Sequence, residues 1–122
     1  MMLKTLPLLM AIIILSSTAN ALSPLAEAGK EQFALCNTCH DPDLDPPKGA
    51  PMFGVQRRYT RAYGSKEEVI KQIISYVKQP SVEKALMRNA VKQMGIMPSL
   101  AIPDDTLNKI AHYIYEEFFE PP

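Results

Sequence analysis

Three things are scarce in this sequence. Strand signal is nearly absent, cysteine and histidine occur only twice each, and neither charge is in excess, with 13 Lys and Arg against 13 Asp and Glu. Each scarcity excludes something. Without alternating apolar runs there is little from which to build an α/β or all-β fold. Balanced charge supplies no footprint for nucleic acid. A structural zinc site wants four ligands in paired sets; Cys36, Cys39 and His112 make only three, and His40 is poorly placed so close to Cys39. The one long apolar run, Leu6 to Leu15, has roughly half the twenty or so residues that a membrane-spanning helix needs.

That run belongs to a segment with its own logic. Residues 1–21, MMLKTLPLLMAIIILSSTANA, carry one cation, Lys4, then the apolar stretch, then small and polar residues closing on Ala19-Asn20-Ala21. This is the three-part plan of a secretory signal peptide with an A-x-A cleavage site, so the mature chain is expected to begin near Leu22. The alternative is an uncleaved membrane anchor, since no charge falls between Lys4 and Glu27, but Ser16, Ser17, Thr18 and Asn20 cut the run short. No cysteine near the cleavage point offers a thiol for a lipid. The expected location is therefore the periplasm, with no stable membrane insertion once the leader is removed.

Residues 22–122 then amount to one domain, near neutral in charge. From Arg57 to Lys92 nine cations face only Glu67, Glu68 and Glu83, while both ends are acidic. Such a basic middle is either a solvated helix face or a surface that steers an acidic partner.

The pattern along this domain predicts helices and turns. Pro24 suits a first helical position after Ser23, and Leu25, Ala28, Phe33 and Cys36 follow at helical intervals, so a first helix ends on the segment Cys36-Asn-Thr-Cys39-His40. Asp41 to Gly54, DPDLDPPKGAPMFG, is dense in proline and glycine and predicts a loop. Asp41, Asp43 and Asp45 alternate as in a calcium loop, but the sixth position is not glycine and Met52 stands where the bidentate glutamate belongs. Ser65 with Glu68 forms a capping box ahead of Val69, Ile70, Ile73, Ile74 and Val77. A shorter helix is expected from Ser81 to about Gly95, and a last one from Pro103 and Asp104 through Leu107, Ile110, Ala111, Ile114 and Phe118. On that last helix His112 projects roughly 140° from Leu107 at 100° per residue, which points it outward.

Both cysteines lie within Cys36-Asn-Thr-Cys39-His40. A disulfide between positions so close would add little stability, because the loop it closes is tiny. A redox dithiol belongs at a strand-to-helix junction, and no such strand is predicted. Covalent haem attachment fits better. Two thiols one helical turn apart can each form a thioether with a porphyrin vinyl group, and the adjacent histidine can offer its imidazole to the iron. Export, which the leader indicates, is the setting in which bacteria make that attachment.

The motif has company. Gly29 and Phe33 precede it on the first helix, Gly49-Ala50-Pro51-Met52-Phe53-Gly54 follows, Met97-Pro98 comes late, and Tyr113-Ile114-Tyr115 lies on the last helix. On these features residues 22–122 resemble a class I c-type cytochrome of the small exported bacterial kind. One departure is that Phe33 stands three residues before Cys36, where such proteins often leave four. The resemblance implies an all-α, cytochrome c-like fold of three to five helices around one haem c, held by Cys36 and Cys39 with His40 as an axial ligand of the iron. It also implies a proline carbonyl, here that of Pro51, accepting the outer N–H of His40.

The remaining axial ligand is sought among seven methionines. Met1, Met2 and Met10 leave with the leader, Met87 reads as core, and Met52 is too near His40 in sequence to reach the other haem face. Met94 and Met97 remain. Pro98 pushes Met97 into extended backbone suited to a loop against the ring, so Met97 is preferred, with Met94 as the alternative. Arg57, Arg58, Tyr59 and Arg61 are candidates for the haem carboxylates or else ordinary surface residues. The implied function is that of a single-electron carrier rather than an enzyme, meeting redox partner proteins transiently, with encounters steered by charge and weakened by salt. Two rivals are an electron-entry subunit of a larger exported oxidoreductase and an open-site haem protein acting as ligand sensor or peroxidase.

Overall fold

A computed structural model describes residue 2, residues 11–14 and residues 21–122. Most of the leader expected over residues 1–21 lies outside the described residues. The described chain is all-helical. It has six helices: α1 Pro24–Gln32, α2 Ala34–His40, α3 Met52–Tyr63, α4 Lys66–Lys78, α5 Arg88–Met94 and α6 Asp104–Glu116. Among the described residues no helix is long and apolar enough to cross a membrane.

The expected first helix is two. Ser23 caps α1 by accepting from the Ala26 N–H, and Pro24 sits in the first turn. The chain then tightens at Phe33, whose carbonyl accepts from the Cys36 N–H at 2.9 Å, a three-residue step, before α2 resumes. Phe33 is buried there against Tyr113, with ring centroids 5.1 Å apart, and Phe119, at 6.2 Å. The buried face of α1 is therefore Ala26, Gly29 and Phe33, and Leu25 is 41 % exposed.

Gly29 explains how α1 meets α6. A Cβ at this position would overlap the carbonyl of Lys109, so the two helices cross with their backbones in contact. At the α1 N-terminus the crossing is fastened by Glu116, whose carboxylate accepts from the Ser23 N–H at 2.8 Å and the Ser23 hydroxyl at 2.7 Å. Lys66 of α4 adds a third bond at 3.2 Å.

α4 and α6 follow their apolar periods. Val69, Ile70 and Ile73 are buried on the first, and Leu107, Ile110, Ala111, Tyr113 and Ile114 on the second. Ser65 caps α4 by accepting from the Glu68 N–H, but the box is only half made, because the Glu68 side chain accepts from Gln72 instead of reaching back. Phe118 lies beyond the helix and is 78 % exposed; Phe119 packs on the core in its place.

Two corrections concern the middle of the chain. The loop after His40 ends at Pro51, not Gly54, and α3 follows it. Met52, Val55 and Tyr59 recur at helical spacing on this helix, and Gly64 at φ 76° closes it through a bond to the Thr60 carbonyl. Gln56 of α3 reaches the end of α6, its Nε2 donating toward the carbonyls of Ile114, Tyr115 and Glu117 at 2.7–3.0 Å. The helix expected over Ser81–Gly95 shrinks to α5: residues 81–85 form a turn capped by Ser81, and only Arg88–Met94 is helical.

Candidate functional site

The packing leaves a large apolar cavity of about 430 Å³, within the range of roughly 300–1,000 Å³ usual for small-molecule sites. Segments far apart in sequence meet around it. α2 and the loop after it contribute Cys36, Cys39, His40, Gly49 and Ala50; α3 contributes Met52, Val55 and Tyr59; α4 contributes Ile73, Tyr76 and Val77. Leu107, Ile110 and Ile114 come from α6, while Met87, Met94, Met97 and Pro98 come from α5 and its flanks. No carboxylate lines it among the described residues, and Lys48 is the one lysine or arginine that does.

His40 is held in a defined orientation. Its Nδ1 lies 2.7 Å from the Ala50 carbonyl oxygen. A carbonyl only accepts, so Nδ1 carries the hydrogen, and in the neutral ring Nε2 keeps its lone pair for a metal. Gly49 makes this approach possible: a Cβ on it would stand 2.9 Å from His40 Nδ1 and 2.9 Å from the Cys39 carbonyl. The partner of His40 is thus Ala50, not Pro51. The Pro51 carbonyl accepts from the Val55 N–H in the first turn of α3.

Both cysteines are half-buried free thiols on α2, Cys36 in its first turn and Cys39 in its last. Burial pushes the Cys36 thiol up from its ordinary value. A redox dithiol needs a thiol of lowered pKa, and burial works the other way on Cys36. Nor does a zinc site form. His112 does not line the cavity, its Nδ1–H donating to the Asn108 carbonyl at 2.8 Å, and no cluster of three metal-binding side chains exists among the described residues.

The chemistry of the remaining lining fits a haem. A flat, largely apolar ring needs apolar walls, two thiols for its vinyl groups, one oriented imidazole and one sulfur donor. All of these residue types face this one cavity. Met94 closes α5 and Met97 lies in the irregular segment beyond Gly95, and both line the cavity. The arginines do not. Arg57, Arg58 and Arg61 are exposed, Arg57 lying 5.9 Å from the Phe53 ring centroid, and of that group only Tyr59 reaches the cavity. Polar groups that the sequence reading did not single out, Thr38, Lys48 and Tyr76, line it instead. Nothing in their local sequence marks them, since each is brought there by the packing of its element.

Comparison with protein-family models, with curated proteins and with solved structures found no match to this chain.

Proposed function

We propose that this chain is an exported single-electron carrier of the class I c-type cytochrome kind, holding one haem c through Cys36 and Cys39, with His40 and Met97 as axial ligands. The observation that carries the reading is that Cys36, Cys39 and an oriented His40 share one apolar cavity with Met94 and Met97. Bound there, the haem supplies a metal that takes up and gives back one electron.

The chain's own groups account for the rest. The Ala50 carbonyl orients the His40 ring and fixes its hydrogen on Nδ1, leaving Nε2 for the metal. Thioether ligation favours a higher potential than stronger donors give. Leu107, Ile110, Ile114 and Val77 give the cavity apolar walls suited to a largely apolar ring. With imidazole and thioether both in place no position is left for a substrate, which is why a carrier is favoured over a sensor or peroxidase. The periplasm is the compartment this reading requires.

The deciding experiment is mass and visible absorption of the protein exported from cells able to attach haem. The expected result is a mass increase of one haem and a low-spin reduced spectrum. A colourless product in which both cysteines react with an alkylating reagent would end the proposal.

A further inference from the structure

The stretch from Met87 to Pro98 is unlike the other walls of the cavity. It contains α5, of which no residue is buried, whose N-cap Met87 makes no side-chain bond and whose C-cap is Gly95 at φ 81°. The close helix pairings among the described residues are α1 with α6, α4 with α6, α3 with α4, α1 with α2 and α3 with α6; α5 takes part in none of them. A helix of two turns has little stability of its own. This strap is therefore held chiefly through the side chains it turns toward the cavity.

Two of those side chains are methionines on either side of the Gly95 joint. Met94 and Met97 are both half-buried, and both line the cavity that His40 lines. Each has three rotatable bonds and a soft sulfur donor. The other two methionines of the cavity are committed elsewhere: Met52 is buried in the core at the start of α3, and the Met87 methyl lies 3.2 Å from where a Cβ on Gly54 would stand.

We propose that Met94 and Met97 are interchangeable sulfur ligands, with Met94 taking the iron whenever Met97 is withdrawn. The proposal rests on the haem reading above. The exchange replaces one sulfur–iron bond by another, moves no proton and leaves the oxidation state unchanged, so it asks only for movement of a strap that no other helix clamps. Its consequence is a metal that stays closed to outside ligands while the strap shifts.

The test uses the haem-loaded protein and the variants Met97→Leu, Met94→Leu and the double variant; leucine keeps the volume, and far-UV circular dichroism reports the fold. Each single variant is expected to keep the ferric absorption band that sulfur–iron ligation produces and to stay inert to carbon monoxide, the two differing in reduction potential. The double variant is expected to lose the band, turn high-spin and bind carbon monoxide. If either single variant alone behaves like the double, the ligands are not interchangeable and the proposal falls while the haem reading stands. A colourless wild-type protein with two alkylatable thiols would remove both.

Discussion

An imidazole fixed by one carbonyl depends on the residue that lets the carbonyl come close. For His40 that residue is Gly49, whose missing side chain leaves room for the ring beneath the turn leading to Ala50. Gly49→Ala is expected to push the turn away, lengthen the Ala50 bond and destabilise the fold by about 1–3 kcal/mol, as overpacking does. Denaturant unfolding gives the energy, and the nitrogen shifts of the His40 ring give the lost bond; an unchanged Nδ1 signal would show that the turn yields without releasing the ring. The segment Cys36-Asn-Thr-Cys39-His40 was readable from its spacing alone. The identity of the carbonyl was not, since Ala50 and Pro51 both precede the next helix. What separates them is the path of the turn after Gly49, which brings the Ala50 oxygen to the His40 ring.

At the scale of the element, the crossing of α1 and α6 is the most constrained packing in the chain. Gly29→Ala puts a methyl into the Lys109 carbonyl, a backbone atom with nowhere to move. The expected cost is at or above the upper end of the roughly 1–3 kcal/mol of ordinary overpacking, whereas Ala34→Gly, exposed at the start of α2, should cost at most about 1 kcal/mol through helix propensity alone. Thermal unfolding of the two variants separates these effects. The same crossing carries a pH dependence. Burial works to raise the Glu116 carboxyl, but the hydrogen bonds from Ser23 and from Lys66 together outweigh it and hold the group below the usual carboxylate value. A carboxylate depressed in the folded state contributes stability above its unfolded value and loses it as pH falls through the folded one. Glu116→Gln should therefore lower the unfolding temperature at neutral pH and flatten its decline on the acid side; a parallel decline in both proteins would place the sensitivity elsewhere. α4 and α6 were legible because their apolar residues repeat at the helical period over several turns. α3 was not, although Met52, Val55 and Tyr59 keep that period, because the prolines and glycines just before it read as a continuing loop through Gly54. α5 was legible only as the end of a helix expected from Ser81, whose first half forms a turn instead.

At the scale of the whole molecule, the all-helical class followed from the lack of strand pattern, but the cavity did not, because it is a property of how six helices meet. On the haem reading proposed above, its size would make the cofactor part of the fold. At roughly 24 cal/mol per Å³, leaving about 430 Å³ unfilled would cost up to about 10 kcal/mol, an upper bound because the site opens to solvent. The whole stability of a domain is about 5–15 kcal/mol, so on that reading a chain unable to attach the proposed haem has little left with which to order the strap from Met87 to Pro98. The variant Cys36→Ala with Cys39→Ala, exported and purified, is expected to keep much of its far-UV helical signal while losing near-UV tyrosine signal, binding a hydrophobic dye and unfolding without a sharp transition. Limited proteolysis should cut first between Met87 and Leu100, where α5 has no buried residue, and last in α1 and α6, where Gly29 and Ala26 lock the crossing. A cooperative, dye-free variant with a protected strap would mean that the cavity collapses onto its own side chains, and that the thiols serve a domain already stable without what they hold.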